Sequence, residues 1–174
     1  MACSNAIIVR YKMRIKQMQG PNIAGLTETV ANGLLNIGQI TKVGGMSLGV
    51  YGKEELKEFN KIFRVSDGIR TLPTLKAEMM LQHGYGSLVR DYFFEWHERP
   101  NEVVCNVSID ILDRSWCPQF IWEFDGCTMI DVNFEDQELA SPKLGKLTFE
   151  LEPVNVSVLK GLDAAMAAAT QLRS

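Results

Sequence analysis

Val9-Arg10-Tyr11-Lys12-Met13-Arg14-Ile15-Lys16 alternates apolar and basic residues without a break. Successive side chains of an extended strand point to opposite faces, so a period of two marks a strand with one face buried and the other in solvent. The pattern assigns Val9, Tyr11, Met13 and Ile15 to a core and Arg10, Lys12, Arg14 and Lys16 to the outside. The same period returns along the chain. Leu75, Ala77, Met79 and Leu81 oppose Thr74, Lys76, Glu78 and Gln82, and Val103, Cys105, Val107, Ile109 and Ile111 oppose Asn106, Ser108 and Asp110. Further on, Thr128, Ile130, Val132 and Phe134 alternate with Asp131, Asn133 and Glu135, and Leu147, Phe149 and Leu151 with Lys146, Thr148, Glu150 and Glu152.

Between these runs stand turn signals: Gln19-Gly20-Pro21-Asn22, Asn32-Gly33, Gly44-Gly45, Asp113-Arg114-Ser115, Asp125-Gly126 and Ser141-Pro142. They delimit further strands from Ile23 to Thr29, making a hairpin-like start, from Leu34 to Val43, and from Pro118 to Phe124. Helices are expected in three places. Leu56, Phe59, Ile62 and Phe63 recur among the charged residues of Lys53 to Phe63, which predicts a short surface helix. Leu88, Val89, Tyr92, Phe93 and Trp96 form one stripe of a helix over Ser87 to Glu98, stopped by Arg99-Pro100-Asn101 and placed to cover the open face of a sheet. The Ala-rich tail from Val158 to Leu172 reads as a terminal helix, since alanine has the best helix propensity. Many short strands with no βαβ alternation predict a mainly β chain, an antiparallel β-sandwich or small barrel with one flanking helix and a C-terminal helix.

The 174 residues fit one domain, spanning 1–174 with a core of about 9–155 and a helical extension over 156–174, and 46% hydrophobic content suffices for a real core. No run approaches the roughly 20 apolar residues of a membrane helix, and the N-terminal residues do not resemble a secretion signal, so a soluble, cytoplasmically made protein is expected, without membrane association. Cys3, Cys105, Cys117 and Cys127 lie far apart with no C-x-x-C, which suits reduced structural thiols better than zinc or redox chemistry. A net charge of −3 argues against a dedicated DNA binder, which carries a basic excess, and suits a surface that DNA passes without sticking.

No catalytic, cofactor or metal constellation stands out, and none is expected. His83 and His97 are the histidines, one before a Gly-rich turn and one at a helix end, whereas a metal site needs several converging ligands. The stretch from Gly44 to Gly49 lacks the Lys of a phosphate loop and reads as a flexible loop, and no G-x-S-x-G elbow is present. Asn106-Val107-Ser108 and Asn155-Val156-Ser157 match the glycosylation sequon in or beside predicted strands and are taken as chance. Two charge features remain: the four bases of the first strand, and Glu123, Asp125, Asp131, Glu135, Asp136 and Glu138 in a stretch without Lys or Arg. One reading is a solvated face and an acidic loop. The other is complementary contacts between subunits, since opposed charges set register and suppress wrong partners.

The order of these pieces resembles the phage tail tube protein family, and through it the inner tubes of contractile bacteriocins and type VI secretion. Arg10 to Lys16 followed by Ile23 to Leu34 is similar to the family's opening strand and the Gly-punctuated segment after it. Leu72-Pro73-Thr74-Leu75-Lys76 resembles a family strand, with Ala77-Glu78 where the family has Arg-Gly. The helix ending in Trp96, the run Val107 to Asp113, Trp122, and the closing Gly145 to Glu152 occupy matching places, so the resemblance spans about residues 9 to 155. Gly44 to Phe63 and the tail after Val158 depart from the common core.

The resemblance implies six copies per ring, and rings stacked into the hollow inner tube of a contractile phage tail, a virion structure assembled in the host cytoplasm through which DNA is ejected. Its partners would be other copies of itself, the tail sheath protein, and baseplate and tape-measure proteins, with DNA passing non-specifically and no enzymatic activity. On this reading Gly44, Gly45, Gly49, Leu56 and Phe59 with Arg10, Lys12, Arg14 and Lys16 make inter-ring or inter-subunit contacts. Asp131, Asn133, Glu135, Thr148 and Glu150 face the lumen, and Leu88, Tyr92, Phe93, Trp96 and Trp122 belong to the core. The competing reading is a ring-forming tail adaptor or terminator that does not polymerise, or the inner tube of a bacteriocin or type VI-like device.

Overall fold

The computed structural model describes residues 10–21, 23, 35–37, 40–58, 61–80, 85–113, 118–134 and 145–160. Among them the elements run β1 (Arg10–Gln19), β2 (Leu35–Ile37), β3 (Ile40–Gly44), β4 (Val50–Glu58), β5 (Lys61–Thr71), β6 (Leu75–Met80), α1 (Tyr85–Glu98), β7 (Val104–Leu112), β8 (Pro118–Phe134), β9 (Lys146–Glu152) and β10 (Asn155–Lys160). The pairings are antiparallel throughout.

The 17-residue β8 organises the body because its two halves serve different neighbours. Its first half lies between β7 and β10, with Ile109 opposite Trp122 and Val158 opposite Trp122 from the other side. Its second half pairs with β9, Asp131 opposite Glu150 and Asn133 opposite Thr148. One layer is therefore β2-β1-β7-β8-β10 and the other β8-β9-β6-β3. The Asp125-Gly126 signal, expected to separate two strands, instead turns one continuous strand from layer to layer. Gly126 adopts φ 63° and donates its N–H to Asn106 Oδ1 at 3.0 Å, while the pairing with β7 slips between Val107 opposite Phe124 and Cys105 opposite Cys127. A Cβ at Gly126 would meet Val154 Cγ2 at 3.1 Å, so left-handed backbone and close approach both call for glycine.

The core fills the space between the layers. Met13 and Ile15 of β1, Cys105, Val107 and Ile109 of β7, Phe124, Cys127 and Met129 of β8, Leu147, Phe149 and Leu151 of β9, and Leu75, Ala77 and Met79 of β6 are all buried. The stripe of α1 enters the same cluster: Phe93 lies 4.8 Å from Phe149 between ring centroids, Trp96 donates its indole N–H to the Val103 carbonyl at 3.1 Å, and the Tyr92 hydroxyl donates to Gln17 Oε1 at 2.9 Å. Each polar tip of these buried aromatics thus has a partner, as burial requires. Trp122 is half-buried against the cluster and stacks on Phe124 with centroids 6.2 Å apart.

Several expectations are corrected here. Lys53 to Phe63 is a β-hairpin and not a helix: β4 and β5 pair with Leu56 opposite Phe63 and Glu58 opposite Lys61. Val50, Tyr51, Ile62, Phe63, Val65 and Ile69 favour extended backbone, and charges at helical spacing serve equally well as opposite numbers across a turn. Leu34 to Val43 is two strands with different partners, β2 on β1 and β3 on β6. Val158 to Lys160 belong to β10, pairing with β8 where a helix was expected, while residues 161–174 lie outside the described residues. The predicted strand from Ile23 to Thr29 falls outside them too, apart from Ile23, which is buried. Finally, Ile130, Val132 and Phe134 do not share one buried face. β8 carries an extra residue between Met129 opposite Leu151 and Asp131 opposite Glu150, which leaves Ile130 43% exposed and the other two half-buried.

Candidate assembly surfaces

The β4–β5 hairpin forms its own two-stranded sheet. It stands on a short base where Gly45, Met46, Ser47, Val50, Thr71, Leu72 and Pro73 line a shallow cleft. Residues 45–49 form a loop, in which left-handed backbone and close approach call for glycine at Gly45 and Gly49. Gly45, at φ 78°, places its would-be Cβ 1.9 Å from the Thr74 carbonyl oxygen, and that of Gly49, at φ 89°, would meet Thr71 O at 2.8 Å. Gly44, at the end of β3, has open space around it. A hydrogen bond from Arg70 to Asn155 Oδ1 ties the hairpin foot to β10. Above this base Leu48, Val50, Tyr51 and Ile69 are exposed, Val50 by 70%. Leu48 precedes β4, Val50 and Tyr51 open it, and Ile69 stands near the end of β5. Leu56 sits in β4, and Phe59 lies outside the described residues.

The basic face of β1 does not act as one unit. Arg10 and Lys16 are exposed and Lys12 is half-buried, but Arg14 turns onto β7 and its Nη2 lies 2.6 Å from Asp110 Oδ1. Both side chains are largely buried, at 12% and 7% exposure, which makes this a pair inside the subunit. Sequence reasoning placed both residues on outer faces but had no means to pair them across 96 positions of chain.

The outer face of the second layer is a charge ladder. Asp131 and Asn133 are exposed on β8, Thr148 and Glu150 half-buried on β9, and Glu135 lies outside the described residues. Across the register, Lys76 stands opposite Glu150, Glu78 opposite Thr148, and Lys42 opposite Glu78. Lys76 Nζ reaches Glu150 at 3.3 Å, Lys146 Nζ reaches Glu78 at 3.0 Å and Lys42 Nζ approaches the same Glu78 at 4.0 Å. The Thr74 hydroxyl donates to Glu150, and this bond, with Lys76 after it, holds the Glu150 carboxyl below its ordinary value. Lys146 already shared a polar face with Thr148 and Glu150 in the sequence, but Lys42 and Lys76 were missed because alternation identifies a polar face without saying which strands lie side by side.

Burial pushes the Cys105 thiol up to about 12 and raises Tyr92 and Cys127 as well. Cys105 and Cys127 are free, buried and opposite one another. His97 is exposed, with Nε2 3.2 Å from the Ile130 carbonyl. Leu88 lies in α1, while His83, Cys3 and Cys117 lie outside the described residues. Among the described residues no three His, Cys, Asp or Glu converge as metal ligands, and no helix is long and apolar enough to cross a membrane.

This architecture is that of the tail-tube fold. The chain is similar to a component of the anti-feeding prophage baseplate, with 15% identity and a TM-score of 0.61 over 91% of this chain and 98% of that one. It is similar to a chain of the sheath–tube complex of the extracellular contractile injection system PVC, at 13% identity and TM-score 0.61, over 90% of this chain and 94% of that one. It is also similar to the Hcp1 protein of the E. coli EAEC 042 pathovar, at 9% identity and TM-score 0.55, over 90% of this chain and 94% of that one. No family model matches the sequence. No curated protein matches it either. The likeness is therefore one of fold, to structural components of contractile injection machines.

Proposed function

We propose that this chain is a tube-building subunit: six copies close into a ring, and rings stack into the hollow inner tube of a contractile phage tail, the conduit for DNA. The observation that carries the reading is the tail-tube fold bearing a projecting hairpin with exposed Val50, Tyr51 and Ile69. A heterologous interface closes into a ring when its rotation divides a circle, and a tube grows when the two ring faces complement each other. The hairpin supplies apolar area for the next ring, at about 25 cal/mol per Å² buried. Lys12 and Lys16 of β1, with Arg10, meet acidic groups of a neighbour or of the sheath, while Arg14 is used within the subunit. The outer face of β8-β9-β6-β3 lines the lumen. Baseplate and tape-measure proteins are the further partners, and the tube is part of the virion, assembled in the host cytoplasm.

Electron microscopy of the purified protein tests the proposal. Long smooth tubes or stacked rings are expected. Isolated single rings would instead favour a non-polymerising adaptor or terminator, a reading supported by the equal likeness to the anti-feeding prophage tube-terminating cap, at TM-score 0.62 and 12% identity. An injection device of the bacteriocin or type VI kind fits the same fold, and the neighbouring genes separate it from a phage tail.

A further inference from the structure

The ladder on β8-β9-β6-β3 has an arrangement that a neutral or acidic wall does not by itself require. Two of its lysines are its exposed members, Lys42 by 75% and Lys76 by 67% of the side chain, whereas Lys146, at 30%, is sheltered nearly as much as the carboxylate partners Glu78 and Glu150, at 26% and 24%. The acids thus sit close to the sheet and the ammonium groups close over them. Glu78 serves two lysines from opposite sides, Lys146 of β9 and Lys42 of β3. Glu150 is anchored by the Thr74 hydroxyl as well as by Lys76. Among the described residues of this face the carboxylates Glu78, Asp131, Glu150 and Glu152 outnumber Lys42, Lys76 and Lys146. Without Glu78 and Glu150 the balance reverses to a basic surface, and a polyanion binds a basic surface by releasing counterions. Within a Debye length of about 8–10 Å the pairs cancel one another, so the intact face offers phosphate no local excess of positive charge.

We infer that Glu78 and Glu150 are the residues that decide whether this face retains a polyanion, by keeping its three lysines in ion pairs. Such surface pairs are worth only about 0–1 kcal/mol each, so their value to stability is small and their effect on the field is the larger one. The inference rests on the reading of this face as a tube lumen.

The test compares wild type with Glu78→Gln/Glu150→Gln, as free subunits and as assembled tubes, using a labelled single-stranded oligonucleotide and, separately, bead-immobilised heparin too large to enter a tube. Wild type is expected to bind neither. The variant subunit is expected to bind the oligonucleotide, and a fourfold rise in salt should weaken that binding by roughly 20-fold if three lysines engage phosphates. Adding Lys42→Gln, Lys76→Gln and Lys146→Gln should abolish it. Glu78→Gln alone, which removes the carboxylate that faces Lys42 and Lys146, should bind with a shallower salt slope, and it stands in if the double variant melts early. Variant tubes should take up the oligonucleotide and ignore the beads. If folded variants bind no oligonucleotide as subunits or tubes, the role given to the glutamates is overturned while the lumen reading stands. If variant tubes bind the beads, the face lies on the outside, and the lumen reading falls with the inference.

Discussion

Trp96 shows most directly what a single residue contributes. It is fully buried, its ring lies 6.2–6.3 Å from Phe93 and Tyr92, and its N–H is satisfied by Val103 O. Trp96→Ala removes the packing and strands a carbonyl acceptor, so a loss of roughly 3–5 kcal/mol is expected in thermal or denaturant unfolding. The Arg14–Asp110 pair has another logic. Replacing one partner leaves a largely buried charge uncompensated, so Asp110→Ala should cost about 3–5 kcal/mol, and Arg14→Met in the same chain should restore much of that loss. The Cys105 thiol is raised from its ordinary value of 9.0 to about 12, with burial as the main cause. From pH 9 upward the unfolded chain releases this proton while the folded chain holds it. Stability is therefore full below that pH and falls as pH rises towards 12. Melting scans should show the decline, with a shallower slope in Cys105→Ala.

Among the elements, the hairpin separates folding from assembly. Beyond its foot at Arg70 and the glycine base, its strands pair with each other, Val50 opposite Thr71 through Glu58 opposite Lys61. Replacing residues 51–70 with a short Gly-Ser turn should leave a subunit that melts within a few degrees of wild type yet forms no tubes in electron micrographs. Tubes of normal length from that variant would remove the hairpin from the inter-ring contact. The hairpin was misread from sequence for a physical reason. Leu56, Phe59, Ile62 and Phe63 meet a helical period, and the short stretch offered too few turns to tell that period from two.

For the whole molecule, the sheet that carries β1 places its bases and Glu123 of β8 on the same face, with Arg14 opposite Ser108 and Ser108 opposite Glu123, while Asp131 of β8 lies in the other layer. One acid of the later stretch, Glu123, thus shares a face with the bases of its own chain, and Arg14 is already neutralised there by Asp110. Lys12 and Lys16 are left as the β1 lysines for contact between molecules. Lys12→Glu/Lys16→Glu should preserve the circular dichroism spectrum and melting point while blocking ring or tube formation at ordinary salt. Assembly unchanged by the reversal would exclude this stripe from the interfaces.

What the sequence determined by itself was local and periodic. Alternation over Arg10 to Lys16, Leu75 to Met79, Val103 to Ile111 and Leu147 to Leu151 named strands and their buried faces, because side-chain direction in a strand follows from backbone geometry alone. The stripe of Val89, Tyr92, Phe93 and Trp96 named the helix and its inner side by the same reasoning at 3.6 residues per turn. Tertiary structure decided what depends on which segments lie side by side. It carried β8 through Asp125-Gly126 from one layer to the next and shifted its face at Ile130 by a bulge. It also joined Arg14 to Asp110 and Glu78 to lysines from two other strands. A period carries no record of register or neighbour, so the charge pairing of the candidate surfaces became legible only once the strands were laid next to one another.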